Sequence, residues 1–224
     1  MKGKDVVIYG ASGHGKVIAD VVEKSGGTIL AFVDDDDTIW DKSFCGYPIW
    51  GGGSHLIDHA KKETFSVIIG IGDNHIRQKI QQNLEPADTR FCTVIHPSAQ
   101  LGIDVTIGEG TVVMANSVIN PGTRIGIHSI VNTAVTIDHD CIIADFVHLS
   151  PGVHLGGSVR MDSFSWIGLG ASIINNIHVA EHAIVGAGAV VIRYVEPFTV
   201  VAGNPAVLLR KNEPGKQESR KNGN

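Results

Sequence analysis

An aliphatic residue stands at every sixth position from residue 101 to residue 191, without one interruption. A period of six does not match the 3.6-residue period of an α-helix, and it is typical of hexapeptide β-helix repeats. Three faces of six residues make an eighteen-residue triangular coil, so residues eighteen apart stack, and we expect about five coils. The repeated positions are Leu101, Ile107, Val113, Ile119, Ile125, Val131, Ile137, Ile143, Leu149, Leu155, Met161, Ile167, Ile173, Val179, Val185 and Val191.

Two neighbouring columns support this interpretation. Two residues before each aliphatic stands a small or medium-sized uncharged residue, such as Thr111 or Val135, which suits a second inward position. One residue after it, most positions hold Gly, Asn or Asp, such as Gly108, Asn120 or Asp138. These residue types tolerate a positive φ, so we expect the corners of the prism in this last column.

The first ninety residues follow a different pattern. Strands are predicted at residues 6–9, 28–33, 65–71 and 91–95, and helices at residues 16–24 and from about 75 to 84. Strands that alternate with helices predict a small parallel sheet with Rossmann-like winding. We therefore expect an α/β plus all-β chain with a Rossmann-like domain at residues 1–93, a parallel β-helix at 94–211 and a disordered polar tail at 212–224.

Composition limits the kinds of partner. The net charge is −5, and no segment before the tail is strongly basic, which argues against nucleic acid as the main partner. No apolar run reaches the length of a membrane span. The three cysteines lie far apart, without a C-x-x-C motif, which favours a reducing compartment over a disulfide framework. We expect a cytoplasmic protein.

Two of the predicted strand ends carry residues suited to a ligand. The first strand runs into a G-x-x-G-x-G loop at residues 10–15, and the second ends in four aspartates at residues 34–37. Ligands bind such sheets beyond the carboxyl ends of the strands, where helix N-termini favour anions and acids accept from hydroxyl or N–H donors. The spacing deviates from the dinucleotide fingerprint, so a plain tight turn and a solvated acidic loop remain the alternative.

The triplet Asp138-His139-Asp140 carries the most unusual chemistry of the repeat. A neutral imidazole next to a carboxylate suits a general base near pH 7. On a flat strand Asp140 would point away from His139, so a contact between them requires a corner at this place. The alternatives are an exposed corner histidine without a role, and orientation by Asp138 instead of Asp140.

A zinc site is a further reading of the histidines. His148, His154 and His178 occupy the same column of the repeat, but no two histidines of the chain are eighteen residues apart, so none stack directly. Catalytic zinc usually needs three converging protein ligands. We therefore expect no metal, and we interpret His154, His178 and His182 as surface residues.

Several segments together carry a resemblance to a known family. They are residues 8–15, 32–35, 71–77, 135–140, 146–150 and 202–206. With them, residues 4–211 resemble the bacterial nucleotide-sugar acetyltransferases of the left-handed β-helix class. The chain looks most like bacillosamine-type enzymes, which N-acetylate a UDP-linked 4-amino-4,6-dideoxy sugar. Perosamine N-acetyltransferases and sialic acid O-acetyltransferases are relatives.

The resemblance implies roles for particular residues. His139 would be the general base, and Asp140 stands where the family has an acid, often Glu, that raises its basicity. The backbone N–H of Gly157 would face the thioester oxygen. Acetyl-CoA would contact His148, Gly157, Leu169 and Ala187. The nucleotide-sugar would contact Ser12, Gly13, His14, Asp34, Asp35 and Gly72.

The resemblance also implies the whole reaction and assembly. The repeat would be the acyltransferase domain and the first domain would bind the nucleotide-sugar. We expect acetyl-CoA as co-substrate, a homotrimer with the active site between neighbouring prisms, and a product that enters glycan or exopolysaccharide synthesis. O-acetylation of a sugar such as sialic acid is the alternative, and a non-catalytic trimeric scaffold a remote one. A longer segment after Asp35 departs from the family, and its Trp40 and Trp50 could flank a ligand or pack the domain.

Overall fold

A computed structural model describes residues 3–62, 64–87 and 89–212 of the chain. The N-terminal part contains the strands β1 (Asp5–Tyr9), β2 (Thr28–Val33), β3 (Ser43–Phe44), β4 (Tyr47–Pro48) and β5 (Ser66–Ile69), and the helices α1 (Gly13–Lys24), α2 (Gly53–Ala60) and α3 (Asn74–Leu84). Short 3₁₀ turns lie at Asp37–Ile39 and Glu85–Ala87. No helix in these ranges has both the length and the apolar character that crossing a membrane requires.

The N-terminal sheet is small and parallel, in the order β2-β1-β5. The structure differs from the sequence prediction at four places. The helix α1 begins at Gly13, inside the glycine loop, and the sequence pattern missed α2 and the β3–β4 hairpin. The predicted last strand is divided, because Phe91 forms a bridge to Val67 whereas residues 94–95 pair with residues 112–113. The segment predicted as one strand therefore links the two domains.

The remainder of the described chain is a left-handed parallel β-helix of about six turns, one more than expected. Consecutive coils pair with a shift of eighteen residues, as in the pairing of Ile119 with Ile137. The extra turn arises because paired strands lie before and after the periodic series. The first face contains Val94–Ile95, Val112–Val113, Ile130–Val131, His148–Leu149, Trp166–Ile167, Ile184–Val185, Thr199–Gly203 and Ala206–Lys211; the second contains Gln100–Leu101, Val118–Ile119, Thr136–Ile137, His154–Leu155, Ser172–Ile173 and Val190–Val191; the third contains Thr106–Ile107, Arg124–Ile125, Ile142–Ile143, Arg160–Met161 and His178–Val179.

The interior of the prism contains both inward columns of the repeat. The repeated aliphatics are buried except near the N-terminal end of the series, where Leu101 is exposed. Hydroxyl residues of the second column satisfy their hydrogen bonds between coils: Thr111 Oγ1 donates to the carbonyl of Gly126 (2.8 Å) and accepts from the N–H of Ser129 (3.0 Å). Buried hydroxyls are stable in an apolar core only when paired in this way.

The corners of the prism lie elsewhere than the sequence suggested. Positive φ angles recur three residues after each aliphatic, as at Asp140 (58°) and Phe146 (56°), and not one residue after it. The column that holds Gly, Asn and Asp is small for a different reason. A Cβ on Gly108 would lie 2.5 Å from the backbone of the next coil, at Gly126, and one on Gly168 would lie 2.6 Å from Ala187. Close stacking of the coils selects these glycines.

The prism has three corners. The base corner, between the second and third faces, contains Asp104, Gly122, Asp140, Ser158 and Asn176; the aromatic corner, between the third and first faces, contains His128, Phe146, Phe164 and His182; the glycine corner, between the first and second faces, contains Asn116, Ala134, Gly152, Gly170 and Gly188. The N-terminal domain packs against the first face and the aromatic corner, where α1 residues share an apolar cluster with Val94, Val112 and Ile130.

Asn212, the first residue of the predicted tail, has a defined position in the structure. Asn212 donates from its side chain to the carbonyl of His182 (2.6 Å). The other residues of the predicted tail, 213–224, lie outside the described part of the chain.

Candidate active site

The turn at residues 138–140 brings an imidazole and a carboxylate together at the base corner. His139 Nδ1 lies 2.9 Å from Asp140 Oδ2. The positive φ of Asp140 turns its side chain back toward the preceding residue, which a flat strand would not allow. Asp138 has a separate place: its carboxylate accepts the backbone N–H of His139 (2.8 Å). Asp140 is therefore the residue that orients the ring.

The electrostatics of the turn favour a basic imidazole. The hydrogen bond that His139 Nδ1–H donates to Asp140 raises the pKa of His139 above its usual 6.5, and the charge of Asp138 acts in the same direction. Both side chains are exposed, His139 by 54% and Asp140 by 69%. A donor hydrogen bond from Nδ1–H to the carboxylate leaves Nε2 as the free lone pair, which is the form that a general base requires.

Hydrogen bonds from the preceding coil fix the turn at residues 138–140. Asn120 donates to Asp138 Oδ1 (2.9 Å), which lowers the pKa of that carboxyl group. Buried Thr123 donates to the carbonyl of Asp138 (2.9 Å) and accepts from the N–H of Cys141 (3.3 Å), so that it connects both ends of the turn. The sequence reasoning missed Asn120 and Thr123, although their distance of eighteen residues from Asp138 and Cys141 was a usable signal.

Gly157 lies in the next coil, directly against the ring. A Cβ at this position would come within 2.7 Å of both Cε1 and Nε2 of His139. Only glycine therefore leaves the imidazole its present position, with Nε2 next to the Gly157 backbone. His139, Asp140 and Gly157, which were selected from the sequence, are brought together by the structure.

A second group of the selected residues meets where the two domains join. His148 Nδ1 lies 3.0 Å from the carbonyl oxygen of Gly72, and the His148 ring centroid lies 6.3 Å from that of His14. Burial lowers the pKa of His14 to about 3 and that of His148 to about 4, and the charge of Arg77 acts in the same direction. Both rings are neutral at physiological pH, and their Nε2 atoms are buried without a protein hydrogen-bond partner.

The sequence reasoning gave no role to two residues that fix this junction. Asn74 donates to the carbonyls of Phe164 (3.0 Å) and Ser165 (3.3 Å) at the aromatic corner. The Arg77 side chain, wholly buried, reaches His128 of the same corner. The available sequence signal was the position of Arg77, three residues before Ile80 and seven before Leu84, which places it on the apolar face of the predicted helix.

The residues selected at the other strand ends line the carboxyl edge of the small sheet. Ser12 and Gly13 are exposed at the start of α1. The Asp34 carboxylate accepts the N–H of Ala11 (2.8 Å), and Asp35 accepts from Tyr9 Oη (2.8 Å). Asp34 thus closes the glycine loop, while Asp35 remains exposed toward solvent.

The two tryptophans of the longer segment have different surroundings. Trp50 stacks on His59, with 4.0 Å between ring centroids, and belongs to the packing of the domain. Trp40 borders a cavity of about 430 Å³, together with Tyr9 and Asp35. One of the two aromatics is therefore available to a ligand.

The last two selected residues lie at a third place. Leu169 and Ala187 are exposed in consecutive coils of the glycine corner. Within the chain the selected residues therefore fall into separate groups on different edges of the prism, and one chain does not surround a single ligand with all of them.

The other histidines that the sequence analysis considered make contacts within the fold. His154 Nδ1 bonds to Thr136 and His178 Nε2 to Asp162 on the prism surface. His182 is not the free surface residue that we expected, because it is partly buried and stacks between Phe164 and Phe198 at the aromatic corner. Within residues 3–62, 64–87 and 89–212, no three His, Cys, Asp or Glu side chains are placed to share a metal ion.

Comparisons with known proteins give a consistent result. The family model described as the PglD N-terminal domain matches residues 5–84. UDP-N-acetylbacillosamine N-acetyltransferase of Bacillus subtilis (strain 168) is 38% identical over 115 residues, which span 50% of this chain and 52% of that protein.

Two solved structures match almost the whole chain. A histidine-to-asparagine variant of perosamine N-acetyltransferase from Caulobacter crescentus, in complex with CoA and GDP-perosamine, superposes with a TM-score of 0.89 at 33% identity, covering 93% of this chain and 98% of that one. The acetyltransferase domain of PglB from Neisseria gonorrhoeae FA1090, in complex with acetyl coenzyme A, superposes with a TM-score of 0.85 at 37% identity, covering 92% and 99%.

Proposed function

The chain belongs to the acetyl-CoA-dependent sugar-nucleotide N-acetyltransferases with a left-handed β-helix, and from this premise we propose that it acetylates the 4-amino group of a UDP-linked amino-deoxy sugar. The contact between His139 and Asp140 is the observation that carries the proposed mechanism. The resemblance to bacillosamine-type enzymes favours UDP. A GDP-linked sugar is the second candidate, because the Caulobacter relative binds GDP-perosamine.

The proposed reaction is direct transfer without a covalent enzyme intermediate. The nitrogen lone pair of the sugar amine attacks the thioester carbonyl, and Nε2 of His139 takes the amine proton. The negative charge that develops on the thioester oxygen is stabilised by the backbone N–H of Gly157. When the C–S bond breaks, the CoA thiolate leaves and takes the proton from the imidazolium. The base returns to its neutral form, and the products are an amide and CoA thiol.

We further propose a homotrimer whose active site lies between two prisms. The base corner of one copy would face the Gly72–His148 junction and the glycine corner of its neighbour. This arrangement would unite the groups of residues that one chain keeps apart, and oligomers of this size are usually cyclic and closed.

The test uses acetyl-CoA with UDP- and GDP-linked 4-amino sugars, and follows the release of free thiol. We expect release with an amino sugar and none with the corresponding 4-hydroxy sugar, whereas release with the hydroxy sugar would favour O-acetylation. His139→Ala should lower kcat by about 10²–10⁴-fold with the fold intact, and a loss below tenfold would exclude a general-base role. No release with any amino sugar would contradict the proposed reaction.

A further inference from the structure

A fully buried cation joins the two domains away from the base corner. Arg77 is 0% exposed. Its Nε donates to the carbonyl of His128 (2.7 Å) and its Nη2 to that of Phe146 (3.3 Å), both at the aromatic corner of the prism. Its Nη1 donates to the carbonyls of Ile71 (3.0 Å) and Gly72 (3.2 Å), in the loop before α3. One side chain therefore fixes the position of this loop on the prism.

The carbonyl of Gly72 is shared with His148. It accepts from Arg77 and lies 3.0 Å from His148 Nδ1. A carbonyl oxygen only accepts, so Nδ1 must carry the proton, and in a neutral ring Nε2 then carries a lone pair. The low pKa of His148, caused by burial and by the charge of Arg77, keeps the ring neutral. Nε2 itself is buried without a partner in the protein.

We propose that Arg77 is a positioning residue for His148. By holding the Gly72 carbonyl opposite Nδ1, it selects the Nδ1–H tautomer and leaves Nε2 as a hydrogen-bond acceptor for an N–H or O–H group of the acetyl donor. This inference rests on the proposed function, because it takes His148 as a contact of acetyl-CoA. In the opposite tautomer, Nε2 would carry a proton and could not accept from that group.

The geometry separates this role from that of a simple connection between domains. Bonds to His128 and Phe146 would be enough to attach α3 to the prism, whereas those to Ile71 and Gly72 act only on the loop that faces His148. Lysine keeps the charge, but one ammonium lacks the planar fork that spans both sets of carbonyls. Arg77→Lys therefore changes the geometry more than the charge.

The first measurement needs no substrate. In the ¹⁵N-labelled wild-type protein, long-range imidazole spectra should show His148 with a protonated Nδ1 and an unprotonated Nε2. A wild-type spectrum with a protonated Nε2 overturns the proposal, whether or not any variant folds. This result does not depend on acetyl transfer, so a failure of the proposed reaction and a failure of this inference are separate outcomes.

The second measurement is a double-mutant cycle on the KM for acetyl-CoA. Arg77→Lys should raise this KM by about fivefold to tenfold, the effect of one lost hydrogen bond, with a smaller change in kcat. In a His148→Phe background the same substitution should have no further effect, because its target is gone. Equal effects in both backgrounds would assign Arg77 a structural role only and overturn the proposal. Arg124→Lys, on the exposed third face, is the matched control and should change neither the KM nor the spectrum.

Discussion

The imidazole of His139 lies against the backbone of Gly157, one coil further along the prism. A Cβ on Gly157 would stand 2.7 Å from Nε2, closer than a Cβ approaches a non-bonded atom in a folded protein. Because residue 157 has no side chain, His139 Nε2, which is proposed to take the proton, can lie next to the Gly157 backbone, whose N–H is proposed to stabilise the oxyanion.

Gly157→Ala should lower kcat without unfolding the protein. The new methyl group displaces the ring of His139, and we expect a loss of about 10²-fold, as for other misplaced catalytic groups. The backbone tolerates alanine here, because Ala115 and Ala187 occupy the same place in the repeat. Steady-state kinetics and thermal unfolding should be measured together, and wild-type kcat in the variant would contradict the proposed position of the base.

Asp140→Asn should move the acid limb of the pH–rate profile to lower pH. The base works when neutral, so activity falls as the pH drops through the pKa of His139, which Asp140 raises above 6.5. Asn keeps a hydrogen-bond acceptor and tolerates the positive φ, but it removes the charge, so the pKa of His139 falls and the base is weaker. We expect a lower plateau of kcat/KM together with the shifted limb.

The matched control is Asp104→Asn, at the same corner two coils earlier and also at positive φ. This variant should keep the wild-type profile. An unchanged limb in Asp140→Asn, or one displaced to higher pH, would show that Asp140 does not support the base.

Mixed oligomers should reveal whether the site is shared between copies. His139→Ala and His148→Ala chains, co-expressed and assayed at acetyl-CoA concentrations far below the KM of His148→Ala, should be more active than either variant alone, because one kind of interface then pairs an intact His139 with an intact His148. In a cyclic trimer of mixed composition, about one site in three is restored. His139→Ala mixed with Gly157→Ala should regain none beyond that of Gly157→Ala itself, because both changes lie on the same edge. A monomer, or no recovery in the first mixture, would contradict the shared site.

The parts of the fold that the sequence predicted are those set by local periodicity. The sixfold series predicts the prism because every coil repeats the same inward positions, and the fold is confirmed. The predicted position of the corners was wrong, because a glycine can be required either by a positive φ or by close packing of the next coil. Gly108 and Gly168 are small to admit the next coil, and the turn itself occurs at residues such as Phe146, where a side chain is tolerated.

In the candidate site, too, the sequence predicted the features that neighbouring residues determine and missed those that depend on distant ones. His139 stood out from the sequence because its neighbours are acids, but which acid orients the ring depended on the φ of Asp140. The role of Arg77 could not be read from its helix, since its carbonyl partners lie as far as residue 146, on another domain. Contacts between domains depend on tertiary packing, and no local pattern encodes them.

His128→Phe should make the protein more resistant to acid. Burial lowers the pKa of His128 from 6.5 to about 4, so the unfolded chain binds a proton that the folded chain does not between these two values. The free energy of unfolding therefore decreases as the pH falls from about 6.5 to about 4, by at most roughly 3 kcal/mol for this residue. His14 and His148 have lowered pKa values as well, so their contributions have the same sign. Phenylalanine fits the column, since Phe146 and Phe164 stand at the equivalent corner positions with φ of 56° and 63°.

Denaturant unfolding at pH 7.5, 6 and 5 measures the effect. As the pH falls, the free energy of unfolding should decrease less in His128→Phe than in the wild type. Ile142→Phe, on the exposed third face, changes no titratable group, so its free energy of unfolding should depend on pH as that of the wild type does. An equal slope for His128→Phe would mean that His128 is not buried in its neutral form.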